Sequence, residues 1–115
     1  MRIDSQSVVE ASHIEGQGDM LALKAYRESS DVRARLECLR KAAECYEHSY
    51  EVYRKASMPM FAKAVRRKGR DILEAIEFEA RHRGSENPIL KDIVGRLLRN
   101  KEFRARLGLA ARQRV

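Results

Sequence analysis

Through the middle of the chain, small or apolar residues recur at alternating three- and four-residue steps: Ala22, Ala25, Ser29, Val32, Leu36, Leu39, Ala43, Tyr46, Tyr50 and Tyr53. That spacing keeps one stripe of an α-helix apolar and turns the rest to solvent. Ser57-Met58-Pro59 then stops the pattern, because the residue before a proline avoids the α region and proline suits a helix start. A second stripe follows on Phe61, Val65, Ile72, Leu73, Ile76 and Ala80, which predicts a helix over 59–83 ended by Gly84. Asn87-Pro88 supplies a cap and an opening proline for a helix over 88–99, with Leu90, Ile93, Val94, Leu97 and Leu98 on one side. Asn100 interrupts, and Phe103, Leu107, Ala110 and Ala111 define a last helix over 101–113. No stretch alternates with period two for long enough to make a strand.

The pattern is weakest at the start. Asp19 is a good N-cap for a helix over 19–29, and Ser29, Ser30 and Asp31 read as a stop followed by a new cap for 31–56. One continuous helix over 19–56 is the alternative. Residues 1–18 contain Gly16 and Gly18 and read as a weakly ordered segment or a short helix. The expected architecture is therefore all-α: a small bundle of four to five helices, with 19–113 as a single domain that has a basic C-terminal end.

Composition agrees with helices. Ala, Leu, Glu, Arg and Lys dominate, Pro and Gly are few, and 36% of residues are charged against 43% hydrophobic. The opening residues hold no long apolar run, so neither a signal peptide nor a membrane anchor is expected. Cys38 and Cys45 are seven residues apart on one helix, about 10.5 Å, which is too far to bridge. Free thiols suit a reducing compartment, so a cytoplasmic location is expected.

Charge adds what the hydrophobic pattern lacks. Residues 1–60 carry a net charge of −1 and residues 61–115 a net of +8, within a chain of formal net charge +7. In the basic half, Lys63, Arg66, Arg67 and Arg70 span about 100° of their helix, opposite its apolar face. Further along that face, Arg70/Glu74 and Glu77/Arg81 are spaced to neutralise one another. A second run, Arg96, Arg99, Lys101, Arg104, Arg106, Arg112 and Arg114, against only Glu102, favours arginine, which suits planar phosphate or carboxylate contacts. Tyr46, Tyr50 and Tyr53 share one helix face. They read as packing residues and, wherever they are exposed, as a candidate interface.

Catalytic signatures are lacking. There is no phosphate-binding glycine loop, no H-E-x-x-H and no nucleophile elbow. Glu10…His13 and Glu79…His82 have the Glu-x-x-His spacing of di-iron bundles, but the supporting carboxylates are missing, so no metal site is expected. The reading is a non-enzymatic protein without cofactor: a helical binding or adaptor protein whose basic half engages an acidic partner surface. The alternative is a sequence-nonspecific nucleic-acid-binding subunit contacting the phosphate backbone. Neither reading needs a membrane, and a homo-oligomer is compatible with both. The segment 93–115, I-V-G-R-L-L-R-N-K-E-F-R-A-R-L-G-L-A-A-R-Q-R-V, resembles the helix pair near the end of many two-domain glycosyltransferases. What that resemblance implies is a shared way of packing two short amphipathic helices, and no activity.

Overall fold

A computed structural model describes residues 5–27, 31–83 and 85–113, with side chains as far as residue 108. It contains five helices: α1 (Ser5–Arg27), α2 (Val32–Lys55), α3 (Pro59–Arg81), α4 (Pro88–Arg99) and α5 (Lys101–Gln113). No strand occurs among the described residues, so the all-α expectation holds.

Local chemistry sets most of the boundaries. The Asp31 carboxylate accepts from the backbone N–H groups of Arg33 (3.0 Å) and Ala34 (3.3 Å), which starts α2 at Val32 and excludes a continuous 19–56 helix. At the end of α2, Ser57 takes a positive φ of 58°. Its N–H donates to Arg54 O, and that of Met58 donates to Tyr53 O. These two bonds form a Schellman motif, with serine in the position that glycine usually fills. Pro59 opens α3, Asn87 caps α4 through Leu90 N (3.1 Å), and Asn100 caps α5 through Glu102 N and Phe103 N. The expected breaks at Ser29–Ser30 and Gly84 fall outside the described residues.

One boundary was misplaced. Helix α1 begins at Ser5, not at Asp19, and runs through both glycines. Asp19 is no cap: it lies mid-helix and is buried. The glycines cost α1 helix propensity, but they let other elements approach. A Cβ built on Gly18 would fall 2.8 Å from the Tyr46 ring, and one on Gly16 would fall 2.6 Å from the Arg106 guanidinium. Close packing, invisible in local sequence, keeps the helix intact where propensity says stop.

Helices α1, α2 and α3 run up, down and up. Tyr46 meets Gly18 and Asp19 on one side and Gly69 on the other, and Tyr53 stacks on Phe61 with ring centroids 5.5 Å apart. Helix α4 packs on both α1 and α3, and α5 follows from it. The smallest dimension, 21 Å, is about two helix diameters. The core is built from Ala22, Leu39, Tyr46, Val65, Ile72, Leu90 and Phe103, among others. Three residues assigned to the apolar face of α3 lie outside it: Phe61 is 51% exposed, Leu73 is 59% exposed, and Ala80 is exposed near the helix end. Phe61 and Leu73 stand at the edges of the stripe that α2 covers, where periodicity cannot tell core from rim.

Candidate cationic face

Two groups of cations stand apart among the described residues. Some are tied into the fold. Arg35 is buried against Glu79, at 3.2 Å. Lys68, halfway along α3, donates to Glu15 (2.6 Å) and to Asp19 (3.2 Å) on α1. Arg96 bridges Asp71 of α3 (3.0 Å) and Asp92 of its own helix (3.2 Å). Arg106 donates to the Ser12 hydroxyl at 3.1 Å and lies against Gly16. Arg96 and Arg106 were both expected to face an outside anion. The tertiary structure turns them onto the protein's own surface.

The other group is Lys63, Arg66, Arg67 and Arg70. All four are exposed on α3, and among the described residues none has a carboxylate partner. The expected Arg70/Glu74 pair is absent from the ion pairs of the described residues, whereas Glu77–Arg81 forms at 2.7 Å. Arg66 lies over the Tyr50 ring, 5.6 Å from its centroid, a cation–π contact that fixes its guanidinium on the surface. The first turn of α3 holds no acidic residue, so the positive end of the helix dipole adds to the same field. Arg99 and Arg104 are exposed on α4 and α5, and the structure gives them no contact with this stripe.

The tyrosine face is mostly packing, as its spacing suggested. Tyr46 (1% exposed) and Tyr53 (2% exposed) are core residues, so neither presents an interface; Tyr50 alone is half-buried. Their hydroxyls are held by a polar network that sequence spacing did not reveal. Tyr46 donates to Asp19 (2.6 Å), Tyr53 donates to Glu15 (3.2 Å), and Lys68 joins the two carboxylates. The network edges a polar cavity of about 130 Å³ between α1, α3 and the α4–α5 junction. Its one sequence signal was the placement of Asp19 and Lys68 at apolar register positions. Glu79 has a similar explanation: it is buried with Arg35 and Asn87, and no metal is needed to account for it. Among the described residues no group of three or more His, Cys, Asp and Glu is placed to hold a metal ion. No described helix is long and apolar enough to cross a membrane.

The network has a pH signature. Burial, with the nearby Glu15 carboxylate, pushes the Tyr53 hydroxyl up to about 12, and burial beside Asp19 pushes Tyr46 well above its ordinary value. Burial opposes the Lys68 ammonium, but Asp19 and Glu15 outweigh it and hold its pKa above the usual lysine value. All three groups therefore bind protons more tightly when folded than when unfolded. Their contribution to stability is complete below about pH 10 and is lost as pH rises towards 12. In an alkaline titration the tyrosinate absorbance of Tyr46 and Tyr53 is expected to rise together with loss of helical circular dichroism. Ionisation of both near pH 10 with helicity intact would show that the network contributes nothing.

An all-α bundle with an exposed cationic stripe on α3, unpaired among the described residues, is what the fold and this face define. Comparison with protein-family models, with curated proteins and with solved structures gave no match.

Proposed function

We propose that this is a non-enzymatic helical binding or adaptor protein whose exposed α3 face, Lys63, Arg66, Arg67 and Arg70, engages an acidic protein surface. The observation that supports this is a cluster of four exposed cations on one helix face. Arg35, Lys68 and Arg96 have carboxylates within 3.2 Å, while these four neighbouring cations have none among the described residues. Clustered like charges repel one another, and an outside anion relieves that repulsion. Phosphate backbone would use the same residues. Against it stand Glu47 and Glu51, which line the groove beside Arg66 and Arg70 and would repel a phosphate backbone wide enough to cross both rims. A protein surface can place its acids over α3 alone.

The test is titration of labelled polyglutamate, duplex DNA and single-stranded RNA at low and at physiological salt. Polyglutamate is expected to bind, and the variant Lys63→Glu/Arg66→Glu/Arg67→Glu/Arg70→Glu is expected to lose at least tenfold in affinity with helicity unchanged. Unchanged affinity in that variant would reduce the stripe to a solvated face. Preferential binding of nucleic acid, falling log-linearly with salt, would replace the proposal with the phosphate-backbone reading.

A further inference from the structure

Two open hollows run along the seam between α2 and α3 and share Tyr50 and Arg66, so they form one groove. Its floor includes Ala43, Gly69 and the exposed Leu73. Along the hollow that holds Leu73 its rims carry opposite charge, with Glu47 and Glu51 on α2 facing Arg66 and Arg70 on α3, while at the other end Arg54, paired to Glu51, and Lys63 are both basic. Seven residues further along each helix, two turns on the same face, both signs reverse, to Arg40 on α2 and Glu77 on α3. The helices are antiparallel, with Tyr50 level with Arg66 and Tyr46 level with Gly69. Within about one turn, Glu51 is thus level with Arg66, Glu47 with Arg70, and Arg40 with Glu77. Among the described residues none of these three pairs closes across the groove; Glu51 and Glu77 bind Arg54 and Arg81 on their own helices instead.

This arrangement is self-complementary. A two-fold axis laid along the groove, parallel to both helices, carries α2 of a second copy over α3 of the first at unchanged height. Each acid of one rim then meets a base of the other, and Arg40 meets Glu77, each contact occurring twice by symmetry. We infer that the α2/α3 face is a self-association surface whose occupant is a second copy of this chain, with Tyr50 and Leu73 at its centre. A foreign helix would need the same alternation of sign on both its edges; a second copy carries it by construction. The overlap from about residue 36 to 54 is roughly 27 Å long and two helix diameters wide, so a dimer buries about 1,100 Å² in total. That is the lower end of specific interfaces, and it describes a reversible dimer weakened by salt. The inference deepens the proposed function and rests on it: the acidic surface met by Arg66 and Arg70 is the α2 rim of a second copy.

The test is the mass in solution, by light scattering and sedimentation, across a concentration series. The wild-type chain is expected to move from 13.3 kDa towards twice that mass as concentration rises. Glu47→Arg/Glu51→Arg and Arg66→Glu/Arg70→Glu are each expected to remain monomeric with native helicity. An equimolar mixture of the two restores complementary rims and is expected to recover the dimer. A wild-type chain that stays at monomer mass throughout overturns the inference, as does a dimer that survives in both variants or a mixture that fails to associate. The two proposals fail separately, because Glu47→Arg/Glu51→Arg keeps the α3 cations: it loses the dimer while still binding polyglutamate.

Discussion

Replacing Glu79 by alanine is expected to destabilise the fold by about 3–5 kcal/mol, the usual cost of leaving a buried charge without its partner. Glu79 is completely buried; its Oε2 forms an ion pair with the Arg35 guanidinium at 3.2 Å and accepts from Asn87 Nδ2 at 3.0 Å. Asn87 also donates to Ala75 O and caps α4, so the carboxylate joins α2, α3 and the start of α4. Removing it strands the Arg35 guanidinium, whose side chain is only 10% exposed. For a chain of this size the loss lowers Tm by roughly 10–20 °C, and thermal unfolding followed by circular dichroism measures it. The ion pair is itself imperfect, since Arg35 Nε and Glu79 Oε1 have no hydrogen-bond partner. Arg35→Met/Glu79→Leu is therefore expected to recover most of the lost stability, because a well-packed apolar pair removes both desolvation costs. A Glu79→Ala protein within about 1 kcal/mol of wild type would refute the account.

Gly18→Leu is expected to cost about 3 kcal/mol, at the upper end for overpacking. The Tyr46 ring and the Cys45 Cβ lie 2.8 Å and 3.2 Å from where a Cβ would stand. Tyr46 is buried and pinned through its hydroxyl to Asp19, so the ring cannot swing aside without breaking a 2.6 Å hydrogen bond. Gly95 is the control. It also sits inside a helix, but a Cβ there meets nothing within 4 Å. Gly95→Ala is expected to gain about 0.5–1 kcal/mol from helix propensity alone. Chemical denaturation of the two variants measures the contrast. If both glycine substitutions stabilise, Gly18 is not a packing glycine.

These two positions show how far local sequence reaches. Asn87-Pro88, Asp31 and Ser57-Met58-Pro59 were legible because capping and proline chemistry act within a few residues. Gly18 was misread, because the atoms that require it, on Tyr46, lie 28 residues away. The cationic stripe was legible in part. Lys63, Arg66, Arg67 and Arg70 share a helix face by spacing alone, and that face is exposed. Arg96 and Arg106 had the same composition signal, but Asp71 and Ser12 approach them only through the packing of α4 and α5. Tyr46 and Tyr53 were placed on one face correctly. Whether that face was core or surface depended on α1 and α3 closing over it from both sides.

By itself the sequence determined an all-α chain, four of its five helix starts, and the cations of α3, since periodicity, caps and angular position are properties of a single helix. The tertiary structure decided where α1 begins, which tyrosines are buried, and which cations have carboxylates to hold them. Those depend on distances between elements remote in the chain, and they leave Lys63, Arg66, Arg67 and Arg70 as the stripe that faces outwards.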